Sequence, residues 1–213
     1  MNLKLIFTVI IILQALFIHV EAQKHPQFRY VSFEAGMNLS GISSAPQFDE
    51  HQKNAGFHAG VSGNYSFSDF KSIGASLVFD RKGAVDRVHN INTNLNYVSI
   101  PFHMKWIIGK EPRLFLTTGI YVSRLISAKR RGEQNVDGQI SAVDENITDE
   151  FSPFDIGINL GTGLMIRLYD DIDFMVNVGG GAGLLKISDM PEYSPRNFNL
   201  NLSLGYIYFI GYR

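Results

Sequence analysis

The sequence predicts an all-β fold, an eight-stranded antiparallel up-and-down transmembrane β-barrel. Three observations carry that expectation. Eight segments alternate apolar and polar residues with period two, the signature of strands with one apolar and one polar face. The segments run to about 9–13 residues, enough to cross a bilayer at a tilt. Short and long connections alternate along the chain, as in barrels with short turns on the periplasmic side and longer loops outside.

The chain has 213 residues, a formal net charge of −1 and no cysteine. The missing cysteines exclude a disulfide framework, a thiolate zinc site and a cysteine nucleophile. The near-zero charge argues against nucleic acid as a partner. A hydrophobic fraction of 45% and a mean hydropathy of +0.01 are ordinary for a soluble protein, so the membrane assignment rests on pattern alone.

Residues 1–22 read as a secretory signal peptide. Lys4 opens it, Leu5 to Ile18 is apolar apart from Thr8 and Gln14, and Val20-Glu21-Ala22 offers small residues for cleavage. This run of about 14 residues is short for a helical span, which needs roughly 20. No cysteine follows for lipidation. Residues 23–213 are then expected to form one barrel domain, with no later stretch apolar enough for a transmembrane helix.

The first three segments are clean. Val31, Phe33, Ala35, Met37 and Leu39 interleave with Ser32, Glu34, Gly36 and Asn38; Phe57, Ala59 and Val61 with His58, Gly60 and Ser62; Ile73, Ala75, Leu77 and Phe79 with Gly74, Ser76 and Asp80. The fourth, around Asn94 to Trp106, changes phase between Tyr97 and Val98, and Pro101 lacks a ladder donor, so an irregularity is expected there. Leu114 to Ser123, Phe154 to Arg167, Phe174 to Leu184 and Phe198 to Tyr212 complete the set. Ser68-Asp69, Gly109 to Pro112 and Tyr169 to Asp171 read as tight turns. Gly41 to Asn54, Arg81 to Thr93, Ala128 to Pro153 and Ser188 to Arg196 read as long polar loops.

Aromatic residues gather at both ends of the apolar faces. Phe57, Phe79, Phe154 and Phe198 lie at the long-loop ends; Phe67, Trp106, Phe174, Tyr208 and Tyr212 lie near the short turns. Two such girdles are what lipid–water interfaces select. The expected location is the cell outer membrane.

If the apolar parity faces lipid, the lumen receives Glu34, His58, Asp80, His103, Lys105, Asp155 and Arg167. The interior of an eight-stranded barrel is only just wide enough for side chains, so these residues read as a structural polar network whose opposite charges pair. The Gly179-Gly180-Gly181-Ala182-Gly183 run lacks the Lys-Ser/Thr of a phosphate loop, so no nucleotide cofactor is expected. Asp144, Glu145, Asp149 and Glu150 lack calcium-loop spacing. Of the mature histidines (His25, His51, His58, His89, His103), none falls in a Ser-His-acid arrangement. No catalytic, cofactor or metal residue is assigned. Lys129, Arg130 and Arg131, just beyond the fifth segment, are the candidate lipopolysaccharide contact, because phosphates favour charge-assisted bonds with Arg.

Tyr97-Val98-Ser99-Ile100-Pro101-Phe102-His103-Met104-Lys105, Leu116-Thr117-Thr118-Gly119-Ile120-Tyr121, Phe154-Asp155-Ile156-Gly157 and Leu202-Ser203-Leu204-Gly205-Tyr206 resemble strands four, five, six and eight of the PorT-type outer-membrane β-barrel family. The resemblance covers essentially the whole mature chain. It implies a small integral outer-membrane barrel of Gram-negative bacteria, non-catalytic, acting in envelope structure or through extracellular-loop contacts. By analogy with the namesake it also raises a part in a secretion or gliding apparatus; a lipid A-modifying enzyme, a chemistry some eight-stranded outer-membrane barrels perform, is the less favoured alternative. The implied partners are outer-membrane lipid, lipopolysaccharide and, during biogenesis, the barrel-assembly machinery.

Overall fold

The computed structural model describes residues 28–43, 51–86, 91–136, 139–188 and 194–210. Residues 1–22, expected to be a signal peptide, and His25, His89 and Tyr212 lie outside these residues. Nine strands follow in order: β1 (Phe28–Ser43), β2 (His51–Ser68), β3 (Lys71–Asp86), β4 (Ile91–Ile108), β5 (Arg113–Val136), β6 (Gln139–Asn146), β7 (Phe154–Arg167), β8 (Ile172–Gly183) and β9 (Arg196–Ile210). Every pairing is antiparallel. The sheet runs β4-β3-β2-β1-β9-β8-β7-β5, and a β4–β5 ladder closes it into an eight-stranded barrel. β6 pairs with the outer part of β5 alone and takes no part in closure.

Alternation decides which face is which. On β9, Leu200, Leu202 and Leu204 are more than half exposed, while Ser203 between them is fully buried. An apolar exterior over a polar interior inverts the order of a water-soluble barrel and matches a lipid-facing one. Closure leaves no unpaired strand edge within the barrel, which hydrocarbon requires.

The strands outrun the sequence expectation at one end. β5 has 24 residues, against about 9–11 needed to span a membrane. Much of what reads as loop in 41–54, 81–93 and 128–153 is strand, because β1, β3 and β4 keep their ladders past the last lipid-facing apolar residue. Polar strand outside the bilayer carries no apolar face, so hydropathy does not mark it. At the other end, Asp69-Phe70, 109–112 and 168–171 are short turns. By the rule for such barrels this is the periplasmic side.

The expected irregularity in β4 is resolved differently. Leu95, Tyr97, Ser99, Lys105 and Ile107 are all buried, so β4 holds one inward parity throughout and has no phase change. The extra residue lies on β5: the register steps from Asn96↔Ser127 to Tyr97↔Leu125 and leaves Ile126 unpaired. Opposite Pro101 the β3–β4 ladder pauses between Ala75↔Phe102 and Val78↔Ser99, with the register unchanged. A second bulge, between Lys53 and His58 on β2, faces Gly83. There φ is +152°, and a Cβ would run into the carbonyl of Thr93.

Candidate functional site

The interior has three layers. At the short-turn end Tyr30, Ile107, Phe115, Met165, Met175, Ile207 and Phe209 form a buried apolar plug. At the long-loop end Leu95, Tyr97, Leu125 and Ala128 from the wall meet Ile147 and Ile187 from the crossing segments. Those segments are tied across the mouth: Leu125 N donates to Pro153 O, Ser152 N to Ile187 O, and Ser188 Oγ to Glu150 O. Between the plugs lies a polar cavity of about 130 Å³, room for several waters.

Glu34, His58, Asp80, His103 and Lys105 line this cavity. Glu34 accepts from Ser203 Oγ at 3.1 Å and Asn177 Nδ2 at 3.4 Å. His58 Nδ1 stands 4.0 Å from Asp80, and Asp80 accepts from Ser99 Oγ at 3.2 Å. His103 Nε2 donates to Asn64 Oδ1 at 2.8 Å, and Asn64 in turn donates to Ser62 Oγ, which bonds Ser32.

The cavity lysines are held by rings rather than by carboxylates. Lys105 Nζ lies 5.3 Å from the ring centre of Tyr30 and 5.1 Å from that of Phe115. Lys82 Nζ mirrors it at the other end, 5.3 Å from Tyr97 and 4.8 Å from Tyr121. Each ammonium therefore rests on the aromatic side of one plug and faces the cavity, a cation–π arrangement whose strength grows on desolvation. Lys105, expected to pair with an opposite interior charge, has no ion-pair partner among the described residues, nor has Lys82, whereas His58 does stand within 4.0 Å of Asp80.

Asp155 and Arg167 fall in other layers. Asp155 is fully buried against the long-loop plug, where its Oδ2 accepts from Tyr121 Oη at 3.2 Å and Asn197 Nδ2 at 3.0 Å. Asn197 Nδ2 also donates to Tyr97 Oη. Arg167 is not luminal. It is the last residue of β7, half-exposed at the short-turn mouth, and its Nη2 lies 3.2 Å from Glu111. Beside it Arg113 bridges Asp173 and Glu111, which puts an ionic lid over the apolar plug.

The Lys129-Arg130-Arg131 run lies within β5, not in a loop. Arg130 pairs with Glu145 at 3.5 Å and Glu150 at 3.2 Å, and Arg131 with Asp144 at 3.2 Å. Three of the loop acids read from the sequence, Asp144, Glu145 and Glu150, are thus the partners of these arginines, and Lys129 stands exposed without an ion pair among the described residues.

The sequence reading misses the plugs and Lys82. One signal was present. Near the short turns alternation gives way to continuous apolar runs, Trp106-Ile107-Ile108, Leu114-Phe115-Leu116, Leu164-Met165-Ile166 and Phe174-Met175-Val176, as expected where both faces are buried or apolar.

A family model described as outer membrane protein beta-barrel domain matches residues 21–208. Neisserial surface protein A shares the fold at a TM-score of 0.52 with 14% identity, over 84% of this chain and 96% of that one. A major outer membrane protein from Thermus thermophilus does so at 0.51 with 12% identity, over 85% and 99%. At these identities the likeness is one of fold. No curated protein matches the sequence. Family and architecture together place the barrel in the outer membrane.

Proposed function

Since the chain belongs to the outer membrane protein beta-barrel domain family, we propose that it is a closed, non-catalytic outer-membrane anchor acting through the part of its sheet that rises above the bilayer. The observation that carries this reading is the double plug: apolar clusters fill the interior on either side of a small polar cavity, which supports a barrel without a through-channel. Glu34, His58, Asp80 and His103 line the cavity between these plugs, and this placement supports a structural role over a catalytic one. The β5–β6 hairpin, by contrast, stands outside the closed ring with an exposed polar surface at Glu133, Asp144 and Glu145.

The narrower PorT-type assignment stays part of this proposal, supported by the Tyr97–Lys105 signature. Tyr97, Pro101 and Lys105 share the inward parity of β4: the first bonds Asn197, the second lines the cavity and the third rests on the other plug. The signature therefore describes how the interior is filled. A role in secretion or gliding rests on the analogy alone.

Photo-crosslinking in intact cells tests the reading. A photoreactive residue at Glu133 or Asp144 should give protein adducts, and one at His58 only intramolecular products. Lipid A altered in mass by the purified barrel, with no adducts from the hairpin, would replace the anchor with an enzyme.

A further inference from the structure

The outer face carries its charge unevenly from one rim to the other. Just beyond the apolar band at the long-loop end the outward side chains are basic: Lys53 on β2, Arg81 on β3, Arg124 and Lys129 on β5, and Arg196 on β9. The acids described at that end sit on or beside the hairpin, where Asp144, Glu145 and Glu150 answer Arg130 and Arg131. At the short-turn rim the exposed charges are mixed, with Asp69, Glu111, Asp170 and Asp171 beside Lys110 and Arg167.

Arg81 is positioned rather than merely exposed. Its guanidinium lies 5.5 Å over the ring of Phe57, which is stacked on Phe79 at 5.5 Å. Its Nε donates to Asn96 Oδ1 at 3.3 Å, and Asn96 Nδ2 donates to Ser127 Oγ at 2.9 Å. These contacts hold the side chain at the depth of the aromatic girdle, and its two terminal nitrogens have no protein partner among the described residues. Arg124 projects from the same face two strands away, roughly 10 Å across the sheet. It lies between Val98 and Phe154, without an ion pair among the described residues. One guanidinium held over a ring at the lipid interface and a second exposed beside it, neither with a carboxylate partner among the described residues, suit an anion fixed at headgroup depth. The planar fork favours phosphate oxygens in particular.

We propose that Arg81 and Arg124, flanked by Lys53 and Lys129, bind the phosphate groups of outer-leaflet lipid. This moves the lipopolysaccharide contact from Arg130 and Arg131, which the hairpin uses for itself, to the outward wall of β3 and β5. It rests on the outer-membrane location and not on the anchor reading.

The test uses the full mature chain refolded in phosphatidylcholine vesicles doped with bis-phosphorylated lipid A or with its dephosphorylated form. Lipid A retained per barrel after detergent extraction and washing is quantified by mass spectrometry. The electrophoretic shift on boiling confirms that each variant is folded. Wild type should retain the phosphorylated lipid selectively, and R131Q should behave like it. R81Q/R124Q should bind roughly ten-fold more weakly or worse, as expected when each interfacial charge contributes a factor of about five. Wild-type retention by R81Q/R124Q, or equal retention of the dephosphorylated lipid, would overturn the proposal. So would displacement by millimolar inorganic phosphate, which would mark a site for free anions.

Discussion

Asp155 and Lys105 are both charged side chains buried in the wall, and their surroundings predict opposite responses to truncation. Asp155 anchors Tyr121 and Asn197, and through Asn197 reaches Tyr97. Asp155→Ala leaves the Tyr121 hydroxyl and one N–H of the Asn197 amide without an acceptor in a buried site, so it should destabilise by about 2–4 kcal/mol. Asp155→Asn, which still accepts from Tyr121, should recover about half of that loss. Lys105 has no such dependants: it rests on two rings and faces the cavity. Lys105→Met fills the same space and removes a buried charge, so its effect should stay within about 1 kcal/mol. Equilibrium urea unfolding in vesicles, followed by tryptophan fluorescence, measures all three. A Lys105→Met loss as large as that of Asp155→Ala would mean the ammonium has a partner that the rings do not explain. Parity alone brings Glu34, His58, Asp80, His103 and Lys105 to the interior, because each interrupts an apolar row. Lys82 shares the parity of Asp80, yet it lies past the last lipid-facing apolar residue of β3, so alternation stops short of it. Tyr97 is missed for the reverse reason, since an apolar residue turned inward looks the same in sequence as one turned to lipid.

The hairpin of β5 and β6 shows what an element contributes beyond its residues. Within the barrel, β5 is held by β7 from Arg113 to Arg124 and by β4 from Leu114 upward. β6 touches only the stretch from Lys129 to Val136. Replacing residues 132–143 by an Asn-Gly turn removes most of that pairing and leaves Ile147, the plug residue, on its own backbone bond to Ala128 O. The shortened chain should still insert, still shift mobility on boiling, and unfold within a few degrees of wild type. Failure to insert would show that the hairpin helps nucleate closure of β5 against β7. The sequence conceals this element for a physical reason. A two-stranded ribbon in water, laced by Arg130, Arg131 and their acids, needs no apolar face, and without one the period-two signal disappears. The membrane strands are legible because lipid demands an apolar residue at every second position.

Across the whole molecule the two apolar clusters lie in series along the barrel axis, an arrangement that makes a prediction about permeation. A series barrier conducts only when every element is open, so removing either plug should leave the barrel closed. The short-turn plug is made by wall side chains, Phe115, Met165 and Met175 among them, under the Arg113–Asp173 lid. The long-loop plug depends on Ile147 and Ile187, brought in by the segments that cross the mouth. Wild type should show no step conductance in planar bilayers. Phe115→Ala/Met165→Ala should show none, and neither should Ile147→Ser/Ile187→Ser, although each should lower the unfolding midpoint through lost packing. The four substitutions combined join both ends to the polar cavity between them and should give small, frequent openings. The pore would carry Lys82 and Lys105 at opposite ends of that cavity with Glu34 and Asp80 between. Opposed charges of this kind predict weak ion selectivity, and Lys105→Glu in the opened background should turn it toward cations. Conductance from one plug variant alone would show that a single barrier closes the barrel and that the other cluster serves only to stabilise it, and conductance from wild type would show that neither cluster closes it.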